Sequence, residues 1–139
     1  MNKDLQIAKK TVSTEIQALK KLSSSFSSSS QFSKAVSLIS KLKGKCLVVG
    51  VGKSYIVALK IAATLSSLGT PSVAFSANDL QHGGLGAVQK NHDALLVFSV
   101  SGESSELNSI LRFANRYNIP VIGVSCKAKS MLLKHSSIK

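Results

Sequence analysis

Between Leu5 and Leu22, apolar residues recur at Leu5, Ala8, Val12, Ile16, Leu19 and Leu22, with Lys and Gln between them. Steps of three and four residues lay one stripe along a helix, so the spacing predicts an amphipathic helix whose stripe meets either a core or another subunit. Ser23 to Ser30 follows, a serine tract broken only by Phe26, which reads as a flexible connection. Phe32, Val36, Ile39 and Leu42 then return in helical register and predict a second helix over 32–42. Beyond it the pattern changes. Cys46-Leu47-Val48-Val49 is a short continuous apolar run ended by Gly50, the mark of a strand buried on both faces. A helix over 54–68 is stopped by Gly69-Thr70-Pro71, and strands follow at 72–75 and 94–98. Residues 103–117 read as a helix closed by Asn118, 121–124 as a fourth strand, and 129–135 as the start of another helix.

Strands alternating with helices predict a three-layer α/β/α sandwich, with a parallel sheet, right-handed crossovers and helices on both faces. In such sheets ligands bind outside the carboxyl ends of the strands, so the residues just after each strand carry the most information. The chain has 139 residues and a 44% hydrophobic share, enough for one domain with a real core. No apolar run approaches the roughly 20 residues that cross a bilayer, and Met1 to Lys10 lacks the apolar segment of a secretory signal, so the reading is a cytoplasmic protein without a membrane role. Cys46 and Cys126 stand far apart in apolar, strand-like stretches without a CxxC partner, which predicts buried free thiols rather than a disulfide or metal site.

The net charge of +12, from 18 Lys+Arg against six Asp+Glu, sets up a field attractive to phosphates. The positives are spread along the chain, and two Tyr and five Phe are thin material for base stacking, which argues against nucleic acid as the partner.

Three clusters after strands could carry chemistry. Gly50-Val51-Gly52-Lys53-Ser54 lies between a strand and a helix. Leu47 stands where a Walker A motif needs its first glycine, and Tyr55 where a dinucleotide fingerprint needs its third. What remains is a tight turn exposing N–H groups at a helix N-terminus beside one lysine. That suits an anion, although a plain strand-to-helix turn needs the same glycines. Ser99-Val100-Ser101-Gly102-Glu103-Ser104-Ser105-Glu106 places three hydroxyls, Ser99, Ser101 and Ser104, around a glycine ahead of a helix, with Glu106 one turn in. So many donors at the carboxyl end of a strand exceed what helix capping requires and form a metal-free phosphate cradle. Asn78 to Gly86 is a glycine-rich loop carrying His82, a residue able to act as acid or base near neutral pH. His92 and His135 receive no functional reading, and no His, Cys or carboxylate grouping has metal-ligand spacing.

Together these residues resemble the arabinose-5-phosphate isomerase family. Gly50-Val51-Gly52-Lys53-Ser54, His82-Gly83-Gly84-Leu85-Gly86 and Ser99-Val100-Ser101-Gly102-Glu103-Ser104-Ser105-Glu106 occur in its order and spacing, as do Lys43-Gly44-Lys45 and Asn118-Ile119-Pro120-Val121-Ile122. The resemblance covers essentially the whole chain and implies a single sugar isomerase (SIS) domain with a flavodoxin-like sheet. Residues 1–30 would form its N-terminal helix and serine-rich connection, and 31–139 an α/β core. It also implies interconversion of D-arabinose 5-phosphate and D-ribulose 5-phosphate, an early step toward 3-deoxy-octulosonate and lipopolysaccharide. Under it, Ser99, Ser101 and Ser104 hold the phosphate with Gly50, Gly52, Ser54 and Gly102. Lys53 lies near the sugar, His82 and Glu106 serve in catalysis, no cofactor is needed, and the chain assembles as a dimer or tetramer. Two departures stand out. Gly84 replaces an Asp usual in the family. The sequence ends at Lys139, about where a fifth strand is expected, so the resemblance puts that strand, a last helix bearing a further catalytic His, and a pair of CBS repeats outside it. The same residues are compatible with a module that binds sugar phosphate without turnover.

Overall fold

The computed structural model describes residues 2–26 and 30–139. It separates into two compact units, 1–33 and 34–139.

In the first unit, helix α1 spans Lys3–Ser25, started by the Asn2 side chain, which accepts from the Asp4 N–H. The predicted stripe is helical, but α1 buries none of its residues, and Leu5, Val12, Ile16, Leu19 and Leu22 are exposed. The helix also runs three residues into the serine tract. Ser24 Oγ donates to the Lys20 and Lys21 carbonyls and Ser25 Oγ to that of Leu22, so the hydroxyls bond back onto the helix instead of breaking it. Residues 27–29 of the expected connection lie outside the described residues, and Ser30 already opens helix α2, Ser30–Ser40.

The second unit holds a four-stranded, all-parallel sheet made of β1 (Cys46–Gly50), β2 (Ser72–Ser76), β3 (Ala94–Phe98) and β4 (Val121–Val124), in the order β2-β1-β3-β4. The apolar runs become strands because both faces are covered. Leu47 and Val49 of β1, with Leu95 and Val97 of β3, point to one face. There they meet α4 (Ala77–Gln81), α5 (Leu107–Tyr117) and α6 (Met131–Lys134) through Leu80, Ile110, Leu111 and Leu132. Cys46, Val48 and Leu96 point to the other face, against α3 (Lys53–Ser67) and the end of α2. This is the predicted three-layer architecture. Ala58 and Ala62 are the buried residues of α3, and side chains this small bring the helix close to the sheet. Gly50 sets how close: a Cβ there would sit 2.3 Å from the Ser54 carbonyl oxygen.

Beyond shifts of one or two residues at other helix ends, two boundaries differ from expectation. The glycine-rich stretch after β2 begins with the short helix α4, capped by Ser76, whose Oγ accepts from the Asp79 N–H and donates to its carboxylate. A 3₁₀ turn, Gly84–Ala87, follows. Helix α5 starts four residues later than predicted, because Glu103 is drawn away to accept from the Met131 N–H at 3.0 Å. The outer edge of β4 is not wholly open: Ile138 bridges to Ile122, and the Gly123 N–H donates to the Ile138 carbonyl at 2.9 Å.

Candidate functional site

The strand order places the first and third strands side by side, with Gly50 in register with Phe98. The chain leaves β1 toward one edge of the sheet and β3 toward the other, which makes the gap beyond their carboxyl ends the topological switch point. A cleft of about 280 Å³ opens there, lined by Val51, Lys53, Ser54, Ser99, Val100, Ser101 and Ser104. Two of the three predicted clusters therefore meet. Val51 and Val100, which the sequence did not single out, complete the lining.

From the β1 side, Gly52 (φ +54°) caps α3 without a side-chain hydrogen bond, and no acidic residue occupies the helix's first turn. The positive end of a 15-residue helix thus faces the cleft with Lys53 as its first residue, and no carboxylate lines the cleft. From the β3 side, Ser99 is buried and its Oγ accepts from the Gly102 N–H at 3.0 Å, with Ser104 Oγ 3.4 Å away. Ser101 Oγ accepts from the Glu103 N–H at 3.2 Å. Ser101 keeps its proton to donate, and of the Ser99–Ser104 pair one hydroxyl donates to the other and leaves one proton for a ligand, so the loop offers short donors on a fixed backbone.

The backbone is fixed from behind. The Val100 carbonyl accepts from the Cys126 N–H and Ser125 Oγ, the Gly102 carbonyl accepts from the Leu132 N–H, and Glu103 caps the start of α6. Gly102 has φ +66°, and a Cβ there would lie 2.3 Å from Ser130 Oγ, so only glycine lets the loop press against this support. Sequence reading missed Ser125 and Ser130, because Ser125 acts on Val100 across 25 residues of chain and Ser130 packs against the comparably remote Gly102.

His82 and Glu106 fall outside the residues lining the cleft. His82 is the exposed cap residue ending α4, and Glu106 is the half-buried residue just before α5, in the cap position rather than one turn inside the helix. The Gln81 side-chain amide donates to the Glu106 carbonyl, which ties the end of α4 to the start of α5. Glu106 Oε2 accepts from Ser105 Oγ at 3.2 Å.

At the amino end of the sheet lies a polar cluster that sequence reading passed over. Asp93, just before β3, is buried, and its carboxylate accepts from the N–H groups of Gln89 and Lys45 (both 2.8 Å) and from Lys45 Nζ at 2.9 Å. Burial pushes the Asp93 carboxyl up, but these backbone donors and the ammonium outweigh it and hold the group below the usual carboxylate range. Burial, and then the Asp93 charge, push the neighbouring Cys46 thiol up to about 11, an inert sulfur. Cys126 corrects the expectation of two buried thiols. It lies beyond β4 and is exposed. Among the described residues no group of three or more His, Cys, Asp or Glu is arranged to hold a metal ion, and no helix is long and apolar enough to cross a membrane.

Comparison with known proteins places this geometry. The arabinose 5-phosphate isomerase KdsD of Francisella tularensis is 33% identical over 141 residues, 99% of this chain and 42% of that protein. An uncharacterized protein of Rickettsia prowazekii, RP505, is 35% identical over 130 residues, 94% of this chain and 40% of that protein. The chain thus spans about two fifths of the length of these curated relatives. Among solved structures, E. coli CFT073 c3406 in complex with arabinose 5-phosphate superposes with a TM-score of 0.86 at 30% identity, over 99% of this chain and 73% of that one. The SIS domain pattern matches residues 38–139, which takes in the whole sheet, the cleft and the segment that supports it. The chain belongs to the SIS domain family.

Proposed function

We propose that this chain binds a pentose phosphate through the cleft between β1 and β3 and takes part in aldose–ketose isomerisation, converting D-arabinose 5-phosphate to D-ribulose 5-phosphate. The observation that carries the reading is the meeting of Ser99, Ser101 and Ser104 with Lys53 and the start of α3, which no side chain caps, around one carboxylate-free cleft. Hydroxyl and helix N–H donors hold a phosphate without a metal beside the Lys53 charge, and Gly52, with open space where a Cβ would stand, lets a ligand approach the turn, while Gly50 and Gly102 let α3 and the serine loop pack in place. The F. tularensis relative and the arabinose 5-phosphate complex of c3406 support the choice of sugar.

The chemistry needs one base and one stabiliser of negative charge. The base removes the proton from C2 of the open-chain aldose while the C1 oxygen is protonated, giving an enediol. The proton returns at C1 and the O2 proton leaves, so the carbonyl stands at C2 and no redox partner is involved. His82 and Glu106 are the two candidates for the base, carried on adjoining ends of α4 and α5. Lys53 steadies the developing oxyanion. The reading takes no cofactor. It places the chain in the cytoplasm, feeding 3-deoxy-octulosonate synthesis, and as one subunit of a homo-oligomer whose contacts include the exposed stripe of α1.

A second reading is a sugar-phosphate-binding module without turnover. Its specific support is that His82 and Glu106 do not line the cleft. Proton NMR of D-arabinose 5-phosphate in deuterated buffer separates the two. Loss of the C2 proton signal establishes isomerisation. An unchanged substrate with broadened lines establishes the binding module, and sharp, unchanged lines remove both.

A further inference from the structure

A second depression, of about 520 Å³, lies at the other end of the sheet, where α2 ends and the chain enters β1, β3 and β4. It shares no lining residue with the serine cleft. A five-residue strand spans about 17 Å, so a ligand held here touches nothing in that cleft. Lys34, Lys41 and Lys43 contribute three positive charges to its wall. Lys34 and Lys41 stand two helical turns apart on one face of α2 and its last turn, with Ser37 and Leu38 between them on the same face.

None of the three lysines has a carboxylate within ion-pairing distance; among the described residues the one ion pair is Lys45–Asp93. Asp93 also borders the depression, but its charge is already met by Lys45 and two backbone N–H groups. All three lysines are exposed, and like charges gathered around a concavity raise the local concentration of anions there. A lysine at the end of α2 complements the helix dipole, which accounts for Lys41. It does not account for Lys34, two turns earlier, or for Lys43 beyond the helix.

The rest of the wall is of another kind. Leu38, Leu42 and Pro120 are apolar, while His92 and two asparagines on left-handed backbone, Asn91 and Asn118 (φ +64° and +54°), are polar. An apolar floor with these polar residues and a rim of three cations fits a ligand with a flat or apolar body, groups that hydrogen-bond, and more than one negative charge. We propose that this depression is a second anion site, for multiply charged phosphate esters of the nucleotide class. It is independent of the sugar-phosphate reading, since the two sites have no residue in common.

The test is a ¹⁵N–¹H titration of the chain with ATP, pyrophosphate and D-arabinose 5-phosphate in parallel. ATP is expected to shift the amides of Leu38, Asn91 and Asn118 saturably. The double variant Lys34→Glu, Lys41→Glu should weaken that binding by about tenfold or more, and pyrophosphate, with charge but no body, should bind about tenfold less tightly than ATP. Ser101→Ala should leave the ATP response unchanged. ATP shifts confined to Ser99–Ser104, absence of saturable shifts, equal affinity for ATP and pyrophosphate, or loss of the response in Ser101→Ala would each overturn the proposal. The same spectra report the fold of every variant. Shifts caused by D-arabinose 5-phosphate at Ser99–Ser104 bear only on the serine cleft, so the two readings stand or fall separately.

Discussion

The two ends of the sheet handle polar groups in opposite ways. At the amino end, Asp93 is 2% exposed and its oxygens are taken up by Gln89, the Lys45 backbone and the Lys45 ammonium, all from this chain. At the carboxyl end, Ser99 is 5% exposed, yet it belongs to a loop of hydroxyls around a cleft that no carboxylate lines. The Asp93 cluster is a closed account of charge and hydrogen bonds, which holds the entries of β1 and β3 together. The carboxyl end keeps donors on a stiff backbone and leaves the acceptor to be supplied from solution. Burial of a polar group is therefore no guide to function by itself; what matters is whether its partners come from the same chain.

The comparison breaks most sharply if the amino end matters to binding. Asp93→Ala leaves the part-buried N–H groups of Gln89 and Lys45 without their acceptor and the Lys45 ammonium with only the Ala87 carbonyl, and should lower the unfolding free energy by about 3 kcal/mol in urea melts. Affinity of the folded protein for D-arabinose 5-phosphate, measured by calorimetry, should be unchanged; a drop would mean the two ends are coupled. Gly102→Ala tests the other end, because its Cβ collides with Ser130 at a left-handed φ. It should cost about 2 kcal/mol of stability and lose at least about tenfold in affinity. Ser101→Ala removes a single hydroxyl at the mouth of the cleft. Affinity should fall about tenfold while stability moves by no more than about 0.5 kcal/mol, and an unaltered affinity would take that loop out of the site. The smallest effect is in acid. Because folding holds the Asp93 carboxyl below its ordinary value, the unfolded chain binds this proton first as pH falls. The stabilisation is present at neutral pH and is lost below about pH 4, so denaturant midpoints of the parent should fall more steeply there than those of Asp93→Asn.

Much of this was legible in the sequence, for identifiable reasons. The strands β1 and β3 were readable because each is a short apolar run buried on both faces, and their carboxyl ends pointed to Gly50–Ser54 and Ser99–Ser104 as places for chemistry, though not to their meeting. The start of α5 was not, since Glu103 looks like a first-turn residue until Met131 draws it away. The same is true of α4, whose cap at Ser76 hides at the end of a strand. Asp93 gave a faint signal, a lone acid at the head of an apolar run facing a Lys at the head of another, but its partners become visible only once β1 and β3 pair.

That pairing has a kinetic consequence. Cys46 lies beside Ala94 and Gly50 beside Phe98, so the two loops of the cleft come from distant parts of the chain and coexist only after a long-range parallel contact has formed. Contacts of this kind are slow to make and are formed late in folding. The support of the serine loop by Leu132 and Met131 adds a further remote segment to what must be in place. A sugar phosphate therefore finds nothing to bind on a partly assembled sheet. Bound as proposed, it should lengthen the lifetime of the native state in proportion to one plus the ratio of its concentration to Kd and leave the refolding rate untouched, which makes the ligand a brake on unfolding rather than a guide to folding.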